Sequence, residues 1–374
     1  MKYLLSTLTG CFIIFSCTVD RPKQETKTDV SLMYAEGFRV TQQGTSKLVE
    51  VLYPYQGASS GIKYLLVPHS ESIPPHDSET QVIRVPVQSI VCTSTTHIPL
   101  LEYLKEEDKL IGFPTTDYIS SVAVRKRVDE GFVTDLGIDK GMDLEKLFAL
   151  QPSLVMGYTM SSDLGQLKKI KELNIPVVIN AEYLEKHPLG RAEWIKFAAL
   201  FFEKEKEADS VFRMIEKEYL QTLSLVQSVE KRPTVLSGIV YGDAWFMPGG
   251  QNYAARMLED AGCEYLWKSD STKGYLQLSF ETVFAKAKEA DLWIGVGSFK
   301  SLKEISNAES RYQLFRPYRE KNVFTYDARQ GAKGGSEFLE LGYLRPDLIL
   351  KDLVKIAHPE LLPDYALYFH APLK

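Results

Sequence analysis

The chain is poor in the residues that build metal sites and covalent cross-links. Of 374 residues only six are histidine and four are cysteine. The histidines, at positions 69, 76, 97, 187, 358 and 370, stand apart with no pair at ligand spacing, so a directly bound metal ion is not expected. His97, beside a loop of the first α/β region, is read as capping or packing against the next helix. A net charge of -5 lacks the basic excess of a nucleic-acid protein. Beyond the N-terminus no run approaches about 18 consecutive apolar residues, the span of a membrane-crossing helix. Catalytic signatures are missing too. There is no Gly-x-Ser-x-Gly elbow and no Gly-x-x-x-x-Gly-Lys-Ser/Thr phosphate loop, and Gly295-Val296-Gly297 lacks the third glycine and following helix of a dinucleotide fingerprint. An enzyme is not expected; a lipid-anchored hydrolase is the alternative from another class.

What is present begins with the N-terminus. Lys2, an apolar stretch over 4–15 and Ile14-Phe15-Ser16-Cys17 resemble a bacterial lipoprotein signal, in which Cys17 becomes the lipidated first residue. Residues 1–17 are then the signal, and the polar segment 18–31 is a tether between membrane and fold. Cys11 leaves with the signal and Cys17 carries lipid, so only Cys92 and Cys263 remain. They fall in different halves of the chain and are read as buried free thiols.

A local design occurs twice. Aligning Asp143-Leu144-Glu145-Lys146-Leu147-Phe148-Ala149 with Ser279-Phe280-Glu281-Thr282-Val283-Phe284-Ala285 superimposes the glutamates, phenylalanines and alanines. Each copy runs from a polar N-cap candidate into a short helix and then a buried apolar strand, over 153–157 and 291–297. With 44% hydrophobic and 25% charged residues the chain can fill two cores. The expected fold class is α/β: two lobes with mostly parallel sheets, at 88–188 and 233–374, joined by one long helix within a connector at 189–232. Residues 204–229 carry the connector's helical periodicity, a rod of roughly 40 Å at 1.5 Å per residue. Alternating apolar and polar residues over 32–87, punctuated by turns, predict an N-terminal β annex of antiparallel hairpins. In the second lobe, 234–240 is expected as one strand and 241–250 as a glycine-rich aromatic loop. Residues 331–335 read as a mobile edge loop. In parallel sheets a ligand sits beyond the C-terminal strand ends. Loops at 94–96, 115–118, 139–142 and 158–161 should therefore share one rim.

Taken together, residues 141–155, the rod helix and 278–284 resemble the substrate-binding lipoproteins of ABC importers for iron-siderophores, haem or cobalamin. The likeness spans about 85–359. It implies a periplasmic protein held to the membrane by lipid on Cys17, monomeric, that delivers a small-molecule metal chelate to a permease dimer and its ATPase. It also implies that Glu145 and Glu281, one per lobe, dock into arginine pockets of the permease. No cofactor of the protein's own is implied. A single stiff rod implies small rearrangement on binding. The inter-lobe cleft is the expected ligand site, with Tyr118, Tyr158, Tyr241, Trp245, Tyr275 and Phe299 on loops facing it and Arg329 as the principal polar contact. An anionic ferric siderophore is the first expectation, with cobalamin or haem as alternatives.

Overall fold

The computed structural model describes residues 28–374 apart from 30, 139 and 140. The signal, Cys17 and most of the tether lie outside the described residues, as does half of the loop expected at 139–142.

The annex is a five-stranded sheet of β1 (Thr28–Asp29), β2 (Phe38–Gln43), β3 (Ser46–Val51), β4 (Ile62–Pro68) and β5 (Gln81–Val85), ordered as in the chain. The first pairings are antiparallel as expected, but β4 and β5 run parallel. Residues 69–80 supply the long crossover that a parallel pair needs. Alternation in β2 buries Phe38 and Val40. Phe38 packs on Trp194 and Phe197 of the connector, with ring centroids at 4.8 and 5.5 Å. Two buried carboxylates fasten the chain just before this strand. Glu193 accepts the amides of Met33, Tyr34 and Ala35, and Glu185 those of Glu36 and Gly37 as well as the Trp194 indole N–H. Carboxylates this deep are tolerated because nearby donors saturate them.

The first lobe holds β6 (Ile90–Cys92), β7 (Leu110–Phe113), β8 (Thr134–Asp135), β9 (Leu154–Gly157) and β10 (Val177–Ile179). All are parallel, in the order β10-β9-β6-β7-β8. In the second lobe are β11 (Thr234–Ser237), β12 (Ile239–Tyr241), β13 (Ala244–Pro248), β14 (Glu264–Tyr265), β15 (Tyr275–Leu278), β16 (Leu292–Ile294), β17 (Val323–Thr325) and β18 (Ala371–Pro372). Its main sheet is β14-β11-β16-β17-β18, parallel except for β18. The expected strand at 234–240 is broken. Gly238, at φ +80°, lies so close to the Phe246 carbonyl that no side chain fits there. The chain turns out of the main sheet and builds a second, antiparallel sheet, β12-β13-β15. Most of the expected loop at 241–250 is therefore strand. The missed signal is Gly242-Asp243, a two-residue hairpin turn between the paired residues Tyr241 and Ala244.

The duplicated helices form as expected. Asp143 caps Leu144–Leu150 by accepting the Lys146 amide, and Ser279 caps Phe280–Ala287 by accepting that of Thr282. The connector consists of helices Pro188–Glu193, Ile195–Ala199 and Glu205–Leu225. The last has 21 residues, about 32 Å, shorter than the expected rod. It buries Ala208, Phe212, Ile215 and Tyr219 and packs against the helix Pro346–Ala357. Tyr219 donates to Asp260 at 2.6 Å, tying the rod to the second lobe.

The rod is not the only bridge. The helix Glu337–Leu341 and the residues before it form a strap lying on the first lobe. Glu340, 2% exposed, accepts the amides of Ser120 at 2.7 Å and Ser121 at 2.8 Å. Gly335 lies directly on the Tyr118 carbonyl and Gly331 on Ser120, approaches that only glycine allows. The loop expected at 331–335 is thus anchored across the lobes at both ends, by Gly331 and Gly335, while residues 332–334 between them are exposed. Cys92 and Cys263 are buried free thiols, the latter pushed up to about 12 by burial.

Candidate functional site

Beyond the C-terminal ends of β6, β7 and β9 lies a cavity of about 470 Å³. Its lining includes Thr93, Ser94 and Thr95 after β6, Pro114, Thr115 and Tyr118 after β7, Ile138, and Tyr158 after β9. Local hydrogen bonds shape each turn. Ser94 accepts the Thr96 amide, and Thr115, in the left-handed region at φ 54°, donates its amide to Gly137. Asp135 accepts both the amide and the hydroxyl of Thr116, at 2.9 and 2.6 Å. Burial would raise the Asp135 carboxyl, but these bonds and one from Gly137 win and hold it below the usual range. His97 is fully buried behind this rim, and burial lowers its imidazole to about 3. It packs, as expected. Among the described residues no three His, Cys, Asp or Glu side chains are placed to hold a metal ion.

The second lobe presents the antiparallel sheet. Strand alternation sends Trp245 and Met247 inward and Phe246 outward, because successive side chains point to opposite faces. On the outer face Tyr241 is 77% exposed and Tyr275 69%, and the Tyr241 and Phe246 rings meet edge-on at 6.0 Å. Ile239 of this face lies beside Gly297, just past β16, so the aromatic face stands at the C-terminal strand ends of its lobe. Trp245 must be withdrawn as a ligand contact. It is fully buried, donates its indole N–H to Ser237 at 3.0 Å, and packs on Trp293, Tyr312 and Phe315 within about 5.5 Å. Phe246 is the residue that parity selects.

The other candidates divide. Tyr118 and Tyr158 line the first-lobe cavity, and Tyr241 and Tyr275 stand on the antiparallel sheet of the second lobe. Phe299 is partly buried against the core and offers only part of its ring. Arg329 is half exposed, but its Nε donates to Glu337 at 2.8 Å and its guanidinium lies over the Tyr368 ring. Its charge is already matched, which weakens it as the principal anion contact. Glu145 and Glu281 are both exposed and occupy the same second position of equivalent helices; Glu281 also contacts Arg311 at 3.2 Å.

Sequence reasoning missed a cluster that joins the first-lobe rim to the second lobe. Tyr183, after β10, donates its hydroxyl to the Thr159 carbonyl at 2.7 Å, one residue beyond Tyr158. Arg191, in Pro188–Glu193, donates Nη2 to the Tyr183 carbonyl and Nε to the Glu185 carbonyl, both at 3.0 Å. Tyr253 and Tyr343 flank its guanidinium at 3.8 and 4.4 Å. These four residues are spread over 160 positions (183 to 343) in segments read as helix or linker. No local pattern joins them.

Two α/β lobes, a helical connector, a cavity at the strand C-termini of one lobe and an exposed aromatic face at those of the other fit a two-lobed solute-binding protein. The chain belongs to the periplasmic binding protein family, whose model matches residues 90–330. It is 26% identical to an uncharacterised lipoprotein of Methanocaldococcus jannaschii, over 92% of this chain and 85% of that one. Its fold is similar to that of a periplasmic haem-binding protein of Vibrio cholerae (TM-score 0.55, 17% identity, 70% of this chain and 99% of that one). It is also similar to an ABC-type Fe3+-hydroxamate transport protein of Saccharomonospora viridis (TM-score 0.54, 14% identity, 72% and 93%). At those identities the likeness is one of fold.

Proposed function

We propose that this chain is the substrate-binding lipoprotein of an ABC importer, held outside the cytoplasmic membrane by lipid on Cys17, and that it captures a ferric-siderophore-type chelate between its lobes. The observation that carries this reading is the pairing of two unlike walls. A hydroxyl- and tyrosine-lined cavity lies at the strand C-termini of the first lobe and an exposed face of Tyr241, Phe246 and Tyr275 at those of the second, and the chelate is placed between them. Broad aromatic surfaces suit the organic envelope of a chelate, and a few directed hydroxyls fix its orientation. The relatives with known structure add support, since one takes part in Fe3+-hydroxamate transport and another binds haem. Glu145 and Glu281 fit the permease-docking role because identical placement in the two lobes sets a fixed spacing for bidentate arginine contacts.

Titration of the soluble chain lacking residues 1–27 with ferrichrome, ferric enterobactin, haemin and cyanocobalamin tests the proposal. The expected result is saturable binding of a ferric siderophore without turnover. Preferential binding of haemin or cyanocobalamin would move the ligand to another chelate class. Binding of none, or chemical conversion of any, would overturn the reading.

A further inference from the structure

Arg191 differs from the other arginines near the cleft. Arg329 has Glu337 as its ion-pair partner and Arg345 has Asp347. No carboxylate lies within ion-pair distance of Arg191 among the described residues, and its Nη1 donates to no protein group there. Its orientation is nevertheless fixed. The Tyr183 and Glu185 carbonyls hold one edge, and the Tyr253 and Tyr343 rings, with centroids 6.1 Å apart, are too close together to occupy opposite faces. The two rings therefore stand roughly at right angles about the guanidinium carbon and do not sandwich it. Tyr253 brings a second unsatisfied group, because its buried hydroxyl has no hydrogen-bond partner. A cation held in one pose, with no ion-pair partner and only the buried Glu182 carboxyl near enough to feel its charge, is an arrangement that favours a ligand anion.

Its position is central. Tyr183 ties Arg191 to the rim of the first-lobe cavity beside Tyr158. On the other side Tyr275 is close enough for the Arg191 charge to oppose the rise that burial imposes on its phenol. Arg191 thus stands at the base of the cleft, between its two walls. We propose that Arg191 is the anion-recognising group of the cleft, so that the chelate carries a pair of anionic oxygens, of a carboxylate or an ionised catechol, that accepts hydrogen bonds from the free guanidinium edge. The proposal rests on the reading that the cleft holds a metal chelate and narrows it to a charge class.

The test compares the chain with its Arg191→Gln and Arg191→Lys variants. Ferric enterobactin is the catecholate probe, haemin the carboxylate probe and ferrichrome the uncharged one, and each protein's melting temperature is recorded. The wild type is expected to bind one of the anionic probes more tightly than ferrichrome. Arg191→Gln should weaken that probe about tenfold to a hundredfold, the range for a hydrogen bond to a charged group. Ferrichrome should change less than about threefold, within the scatter expected of an uninvolved contact. Arg191→Lys, which keeps the charge but not the fork, should recover part of the loss. Raising salt from about 50 mM to about 500 mM should weaken the anionic probe with the wild type and not with Arg191→Gln. Equal loss for charged and uncharged probes, or no loss, would overturn the proposal and leave Arg191 a structural contact between elements. If Arg191→Gln fails to fold, the lysine variant decides, since selective weakening of the anionic probe supports the proposal and uniform weakening rejects it. A wild type that binds no probe rejects the chelate reading itself, and this inference with it.

Discussion

Setting aside the edge strands β8 and β18, β7, β6, β9 and β10 lie side by side in the first lobe as β14, β11, β16 and β17 do in the second. Both sets run in the order second, first, third, fourth. The correspondence extends to single hydrogen bonds. Ser89 accepts the Ser153 amide where β6 and β9 begin, and Asp291 accepts the amide and hydroxyl of Thr234 where β11 and β16 begin. The two lobes part company at the C-terminal ends of their strands. The first lobe closes them with hydroxyl-rich turns around a cavity, whereas the second inserts a three-stranded sheet and a strap that reaches back across the molecule. The scaffold is duplicated and the surfaces at its strand C-termini are not, and it is these unmatched parts that the proposed chelate would span.

The comparison is broken most severely by mutation of the inserted sheet's inner face. Trp245→Ala should cost about 3–5 kcal/mol in denaturant unfolding, as a large aromatic removed from a closed core, while Tyr241→Ala on the outer face should stay within about 0.5 kcal/mol. Similar costs for both would mean that the sheet does not divide into core and cleft faces.

A smaller effect should separate the strap from the rest. Burial, helped by the charge of Glu102 from the first lobe, outweighs the Ser120 and Ser121 amides and raises Glu340 from 4.5 to about 7. Glu102 in turn faces Glu107 and, from the strap itself, Glu337. A raised folded value means that the contact is strongest below about 4.5 and weakens as pH rises through about 7. Hydrogen exchange at residues 116–125, corrected for intrinsic rates, should accelerate between these pH values in the wild type and stay level in Glu340→Gln. Identical profiles would remove Glu340 from the inter-lobe contact.

The paired clips allow a finer test. Asp291→Ala should cost about 1–2 kcal/mol and Ser89→Ala about 1 kcal/mol, because the second-lobe acceptor is charged. Burial pushes the Asp291 carboxyl up, but the Thr234 bonds and Arg316 outweigh it and hold it below its usual value of 3.8. Its contribution is present above that value and lost as pH falls through the depressed one, so the Asp291→Ala penalty should shrink in acid while that of Ser89→Ala does not. Least affected in stability should be Glu145→Ala and Glu281→Ala, each within about 0.5 kcal/mol for an exposed helix position. Their expected defect is in transport with a permease, which reconstituted uptake would measure.

Much of the scaffold is legible in the sequence because its signals are local. Caps at Asp143 and Ser279, the apolar strand of β9 and the periodicity of Glu205–Leu225 each lie within one short window. The misreadings have equally specific causes. Gly242-Asp243 reads as part of a loop but is a hairpin turn, and that difference shifts the expected contact from Phe246 to Trp245, one residue and one sheet face away. Arg191, Tyr253 and Tyr343 cannot be read from the sequence at all, since only tertiary packing brings them together. Arg329 is found by residue type, but its neutraliser Glu337 is visible only in the fold.

The central claim is that one chelate touches both unlike walls at once. Titration of Tyr118→Ala, Phe246→Ala and the double variant with whichever ferric chelate the wild type binds tests this most directly. Each single change should weaken binding about tenfold or more, as loss of an aromatic contact does, with melting temperatures close to wild type. A chelate that binds tightly and ignores either substitution would place the ligand on one lobe alone and contradict the account.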